Sequence, residues 1–577
     1  MDKKNLAHVE DIVLKAVHAA GFEVDREDIH VERTKTLAHG HFATNIAMGL
    51  AGKLDKNPRD IAQKIVEHLK DNIVKKTDIA GPGFINLWLE QNFYTENCQL
   101  LSQKLEKYLQ ESLGFKKGEK VMATDTSHPN VAKPMGVHHL MSTIIGDSLI
   151  KLYRALGWKV ISDNYIGDWG TQFGKLIYAV KTWGDRKKIE KDPIPELLNL
   201  YVKFHNEAEQ DPKLEEGGRA EFKKLEDGDK ENRKLWKYVV KISLDEFQKI
   251  YKRLNVTYDK MDGESFYEDK MPAVLEEGRK KGVFVDGEGG SWIVLPNDPA
   301  DPPTLVKKSD GATLYMTRDL AQIAYWEKAY HPDRMVWVVD VAQSFHFRQR
   351  FHASRKLKQT TAELVHVDFG RMQFKDKKMS TRKGNILKLE EVLDEAVERA
   401  FRLAKEKASD VLSEKELKEL ARIMGIGAIK YNILSQNRVQ NITFDWDKML
   451  SFEGNSAPYL MYTAARAKSI LRKAGLAVKK ASKFELDLKD DLETQVALDL
   501  MMYASILQCA AEDYKPNHMA NYLYGLAQNY NTLYNNLPVL QAESRKAKET
   551  RLLLTAATVT VMEHCLELLG IEVPEKM

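Results

Sequence analysis

From about residue 119 the sequence alternates between short strand-like apolar runs and long helical stripes, and no other feature restricts the possible fold as strongly. Lys120 to Asp125 reads as a short strand. His138 to Leu156 carries Leu140, Met141, Ile144, Ile145, Leu149, Leu152, Tyr153 and Leu156 at the spacing of one helix face. Gly157 ends that helix, and Lys159 to Asn164 reads as a second strand. Together they form a βαβ unit with parallel strands and a right-handed crossover. After Gly170 a further helix runs to about Trp183. Arg334 to Val341 and Leu364 to Met372 are apolar enough to lie inside a parallel sheet. The expected class is α/β, with a Rossmann-type parallel-sheet core.

The flanks read differently. Residues 1–112 suggest a small α+β domain, with one helix over 5–20, a second from Thr44 into Lys53 and a third after Asn57-Pro58. Ala80-Gly81-Pro82-Gly83 then turns into a strand from Phe84 to Leu89. A Lys-rich stretch, Phe115 to Gly118, marks the boundary to the core at 113–386. Within that core, about 185–310 is a charge-rich insertion, expected to be a solvated element without chemistry of its own. Residues 387–577 are expected to be an all-helical domain. Val496, Leu500, Tyr503 and Leu507 make one stripe there, and Leu554, Val561, Cys565 and Leu568 another, with Gly570 as the C-cap.

Composition excludes several classes. The 577 residues carry 87 Lys+Arg against 84 Asp+Glu, which rules out a polybasic binder but not a local basic face. At 43% hydrophobic and 30% charged residues the chain is neither disordered nor membrane-embedded. The N-terminus lacks the features of a signal or transit peptide, and no apolar run approaches the roughly 18 residues of a membrane span, so a cytoplasmic location is expected. Cys98, Cys509 and Cys565 are too scattered for a disulfide framework or zinc site. They are expected to be small buried hydrophobes, and no structural metal is expected.

In an open α/β sheet ligands bind beyond the carboxyl ends of the strands, and three loops expected there stand out. The segment Asp125 to His139 brings His138, His139 and Lys133 to a helix start, where backbone amides favour a phosphate. Asn164 to Gly174 is a Gly-rich turn that lets backbone approach a ligand. Lys375 to Asn385 combines several cations with Gly and Ser, which suits a polyphosphate leaving group. Each loop alone is commonplace; the three together are much more specific.

Lys378-Met379-Ser380 resembles the K-M-S-K-S loop of class I aminoacyl-tRNA synthetases, and Asn130 to Thr143 resembles their H-I-G-H segment. P-N-V-A-K, S-T-I-I-G-D and G-D-W-G-T-Q-F-G together resemble the arginyl-tRNA synthetases. The likeness extends over essentially the whole chain, through A-G-P-G-F-I-N-L, L-Y-M-T-R-D, the segment 443–460 and the C-terminal I-E-V-P-E-K-M. It implies that arginine's carboxylate attacks the α-phosphate of ATP, which arrives with Mg²⁺, and that the arginyl group then passes to tRNA(Arg). For arginine it implies Asp125, Asn130, Tyr315, Asp319 and Gln343. A guanidinium needs such carboxylates and planar acceptors. For ATP it implies Gly136, His138, His139, Lys133, Lys378, Met379 and Ser380, with His139, Lys133, Lys378 and Ser380 catalytic. The N-terminal domain is implied to touch the tRNA elbow through Phe42 and Asn45, and the helical domain to bind the anticodon with Tyr534. The family is mostly monomeric.

Three positions depart from the family pattern. Gly136-Val137-His138-His139 stands where H-V-G-H is usual, Thr381 replaces the second lysine of K-M-S-K-S, and Tyr165 stands where His is common. Lys133 is expected to serve for the missing lysine. Two other readings stay open: an adenylyltransferase with a non-tRNA substrate, and a non-catalytic RNA-binding relative. For Asp319 a salt bridge to a neighbour such as Arg318 is the plainer expectation without the resemblance, and for Phe42 and Tyr534 a place in the core is an equal alternative to stacking.

Overall fold

The βαβ region forms one four-stranded parallel sheet from β1 (Val121–Asp125), β2 (Lys159–Asp163), β3 (Arg334–Asp340) and β4 (Glu363–Phe369), in the order β4-β3-β1-β2. The structure, a computed structural model, describes residues 5–375, 388–408 and 411–577. The sheet lies in one of two compact units, built from Gly118–Arg154 and Trp158–Met449; the other comprises Met1–Lys117, Ala155–Gly157 and Leu450–Met577.

In the sheet unit, α1 (Val137–Ala155) connects β1 to β2, and Gly146 lets it approach the strand end. A Cβ there would lie 2.3 Å from the Thr126 methyl. α2 (Thr171–Trp183), α3 (Lys230–Arg253), α4 (Tyr315–Tyr330) and α5 (Ser344–Leu357) surround the site described below. Trp326 of α4 stacks on Trp337 of β3 with ring centres 5.3 Å apart, and both are fully buried. Large side chains of this kind each contribute about 1.5–3 kcal/mol by leaving water.

Two strand ends differ from expectation for local reasons. β2 stops at Asp163 because the Asn164 amide turns to the Asp163 carboxylate, 2.8 Å away. The run expected over 364–372 breaks after Phe369, and Met372–Phe374 instead pairs in parallel with Ile442–Phe444. Gly370 makes the break: its amide donates to the Arg438 carbonyl, and a Cβ on it would meet the Gln440 carbonyl at 2.4 Å.

The insertion is not merely a solvated element. Leu197, Leu200, Phe204, Leu225 and Val239 bury themselves against Trp169, Phe173 and Leu176, and Val285–Lys307 contains a three-stranded antiparallel sheet. The helical region expected from 387 divides. α6 (Leu389–Ala408) and α7 (Glu414–Ser435) belong to the sheet unit, where buried Lys430 of α7 lies 3.8 Å from Asp147 of α1.

The other unit joins the two ends of the chain. Val31–Arg33, Phe42–Thr44, Phe84–Leu89 and Val74–Ala80 form an antiparallel sheet. Thr44 pairs in it with Val31 and Ile85, so the following helix begins at Ile46 rather than Thr44. Gln91, Gln99 and Gln103 donate to the backbone carbonyls of Leu488, Phe484 and Ser482, and Arg33 pairs with Asp499 at 2.5 Å. Cys98 and Cys565 are buried free thiols, while Cys509 is partly exposed. Among the described residues no helix is long and apolar enough to cross a membrane.

Candidate active site at the carboxyl ends of the strands

The loop after β1 is strained. Ser127, His128 and Ala132 have φ values of 80°, 57° and 62°. The other five non-glycine residues of positive φ among those described lie at or just beyond helix C-termini, where such conformations are ordinary. Each strained residue costs about 1–3 kcal/mol, so surrounding contacts must hold it. The Ser127 amide donates to Ser142 Oγ (2.8 Å), and its hydroxyl bonds Tyr251 and Thr143, both at 2.8 Å. The Ala132 amide donates to Ser243 Oγ at 3.1 Å. Tyr251 and Ser243 lie on α3, so the insertion, read in the sequence as chemically silent, shapes the loop.

Two carboxylates gather on one side, one buried and one partly buried. Asp125, 3% exposed at the end of β1, accepts from the Tyr165 amide (3.1 Å) and Gln322 Nε2 (3.4 Å), with His128 Nδ1 at 3.3 Å. Burial pushes its carboxyl well above the usual range. Asp319 on α4 is opposite in character. Burial alone would raise it, but Arg350, His346 and Arg318 together hold it below the ordinary value. His346 Nε2 lies 2.5 Å from its Oδ2 and Arg350 3.8 Å from Oδ1. Arg318 is not its partner; that guanidinium reaches Glu268 at 2.6 Å and Glu264 at 3.7 Å. The salt bridge expected between sequence neighbours fails because their side chains leave the helix about 100° apart.

Gln322 links the two carboxylates. Its Oε1 accepts from Arg350 (2.5 Å) and Trp337 Nε1 (2.9 Å), while its Nε2 faces Asp125. Tyr315, by contrast, is 66% exposed at the start of α4, and Gln343 is exposed before α5. Asn130 is exposed and bridges to Gly167, where a Cβ would lie 2.3 Å from Asn130 Oδ1.

Histidines gather on the other side. The Gly136 amide donates to His139 Nδ1 at 2.9 Å, which assigns the proton of the neutral ring to Nε2. His139 is 8% exposed, and burial, with His138 and His128 nearby, pushes its titration down to about 3. His138 is exposed, with its ring centre 3.9 Å from that of His139. Lys133 Nζ rests over the Tyr201 ring at 5.0 Å. Lys378, Met379 and Ser380 lie outside the described residues. Lys388 bridges to Gly136, and the Leu389 amide donates to the Met135 carbonyl at 2.8 Å.

Of the residues expected to meet tRNA, Phe42 is 2% exposed and belongs to the core, so a stacking role does not hold for it. Asn45 is exposed and makes no capping bond, and Tyr534 is 37% exposed over Arg466 at 5.3 Å. Sequence reasoning missed Gln322, His346 and Arg350. The signal available was spacing: Asp319 and Gln322 lie three apart on α4, His346 and Arg350 four apart on α5.

Three family models match the chain: the catalytic domain of class I tRNA synthetases (R) over residues 99–446, a DALR anticodon binding domain over 460–577 and an arginyl tRNA synthetase N terminal domain over 7–89. The arginine–tRNA ligase of Fusobacterium nucleatum is 42% identical over 540 residues, 93% of each chain. That of Lactobacillus johnsonii is 40% identical over 575 residues, 98% of this chain and 100% of the relative. The arginyl-tRNA synthetase structure from Plasmodium falciparum superposes with a TM-score of 0.84 at 25% identity, covering 100% of both chains. With these models matched along the chain and relatives about 40% identical over more than nine-tenths of it, the chain belongs to the arginyl-tRNA synthetases of class I.

Proposed function

We propose that this chain, an arginine–tRNA ligase, activates L-arginine with ATP to arginyl-adenylate and pyrophosphate, then transfers the arginyl group to the 3′ end of tRNA(Arg). The observation that carries the reading is the pair of carboxylates, buried Asp125 at the end of β1 and partly buried Asp319 on α4, joined through Gln322 and Arg350. A cation with planar donors suits that array.

In this reading Asp125 and Asp319 receive the guanidinium, and Asn130, Tyr315 and Gln343 complete the arginine site. Gly136, His138, His139 and Lys133 hold ATP together with Lys378, Met379 and Ser380. His139 donates from Nε2 to the phosphate, at a helix start that already favours an anion. A neutral donor serves here because the reaction needs oriented hydrogen bonds to growing phosphate charge, not a nucleophile. Lys133 leaves Tyr201 to meet the pyrophosphate. Magnesium arrives with ATP, held largely by phosphate oxygens. Asn45 and the N-terminal region, residues 1–112, meet the tRNA elbow. The helical residues Leu450–Met577, the part of the region expected from 387 that lies outside the sheet unit, take the anticodon, with Tyr534 beside Arg466 as a stacking surface. The protein acts as a cytoplasmic monomer.

ATP–pyrophosphate exchange tests this. Arginine should support exchange only with tRNA present, because tRNA binding favours a competent site that is otherwise a minor state. Exchange with a different amino acid would overturn the arginine assignment. The altered Gly136 and His138 favour one other reading, a non-catalytic relative, and a complete lack of charging would select it.

A further inference from the structure

Asp125 and Asp163 are register partners on β1 and β2, so both side chains leave the same face of the sheet at its carboxyl edge. They are 3% and 2% exposed. Asp163 Oδ1 accepts from the amides of Asn164 (2.8 Å) and Asp262 (3.0 Å), but Oδ2 is buried without a hydrogen-bond partner. Among the described residues no cation pairs with Asp163. Its charged and titratable neighbours are Asp125, Asp262, Tyr267 and Tyr330, with Lys260 and Lys270 beside Asp262. Asp125 faces Arg350, Asp319 and His128.

A buried carboxylate oxygen with no donor is strongly disfavoured, and two adjacent buried carboxylates resist ionising together. Burial raises the titration of both groups, and the charge of Asp125 raises Asp163 further. Asp319 needs no proton, because the Arg350 cation lies beside it and His346 hydrogen-bonds it.

We propose that Asp163 holds a proton in the free protein, so that Asp125 and Asp163 together carry one negative charge, and that the guanidinium of arginine expels this proton when it settles on Asp125. The proposal rests on the arginine-binding reading above. The step is a heterolytic loss of the Asp163 O–H proton to solvent, balanced by the arriving guanidinium charge; nothing is oxidised or reduced. Asp163 thereby becomes a specificity-determining residue. A neutral analogue with a urea group in place of the guanidinium brings no charge to displace the proton.

Two measurements on the full-length protein test this. Calorimetric titration with L-arginine, repeated in buffers of different ionisation enthalpy, should show proton release near neutral pH. Affinity should rise by up to tenfold per pH unit below the titration of the pair and level off above it. Asp163→Asn should bind arginine without releasing a proton. Infrared spectra of the free protein should show the carbonyl stretch of a neutral carboxylic acid, weakened by arginine, kept with L-citrulline and diminished in Asp163→Asn. Arginine binding without proton release, or an infrared band identical in the wild-type protein and Asp163→Asn, would overturn the proposal. Should the variant not fold, the wild-type comparison of arginine with citrulline decides. If the arginine-binding reading itself were wrong, arginine would give no binding heat at any pH, while the infrared band would still report on Asp163.

Discussion

Asp319 is partly buried and His139 buried, yet one keeps its charge and the other does not. Around Asp319, Arg350 and His346 outweigh the cost of burial, so the carboxylate persists. Around His139 the nearest ring partners are other histidines and its Nδ1 is occupied by an amide, so burial wins and the ring stays neutral. The difference suits the two substrates. A guanidinium is a permanent cation and needs a fixed anion, whereas a phosphate can be held by a neutral N–H aimed at it.

Removing charge partners should expose this contrast most strongly on the carboxylate side. Asp319→Ala leaves Arg350, 3% exposed at its side chain, without its carboxylate. The expected loss is about 3–5 kcal/mol of unfolding free energy, read from urea denaturation. Adding Arg350→Leu should recover part of it, since the stranded cation is then gone. A loss below about 1 kcal/mol for Asp319→Ala would mean that the carboxylate side does not depend on its ion pairs.

On the histidine side the effect should fall on rate. His139→Ala removes one preorganised donor, and aminoacylation should drop about a hundred- to thousand-fold, roughly 3–4 kcal/mol in the barrier. Near-wild-type charging would end the assignment. His138→Gly, which restores the residue usual in the family at that position, should keep the greater part of the activity if His139 is the principal donor.

The smallest effect separates the two sides by sign. An unfolded histidine titrates near 6.5, while folded His139 and His128 titrate at about 3 and 4. In between, the unfolded chain binds more protons, so stability falls as pH drops, by up to about 1.4 kcal/mol per pH unit for each ring. Asp163 acts in reverse. Its raised titration makes the folded state the better proton binder above the ordinary carboxylate range, so it adds stability on acidification. Denaturation midpoints from pH 7 to 4.5 should therefore decline less steeply in His139→Gln than in the wild-type protein, and more steeply in Asp163→Asn. Equal slopes in all three would show that neither side is linked to protons.

Much of the framework was legible because its physics is local. The helical stripe from Leu140 to Tyr153, the strand ending at Asp125 and the turn at Gly157 follow from periodicity and backbone freedom within a few residues. Asp125, Asn130, Lys133 and Asp319 could be singled out as candidates because the motifs that contain them are contiguous. Phe42 stayed open between stacking and core because an aromatic in a Gly- and His-rich segment gives no sign of which side of its strand faces the core.

The sequence by itself determined the α/β class, the loop positions at the strand ends and the chemical types that gather there, since spacing along the chain sets which face each residue occupies. Only the tertiary structure decided which charges survive. Gln322 reaches Asp125 across 197 residues, Arg318 turns to Glu268 rather than Asp319, and Asp163 finds a carboxylate beside it and, among the described residues, no cation. Such outcomes depend on burial and on partners brought together by folding, and a carboxylate's charge is set by that surrounding, not by its neighbours in sequence.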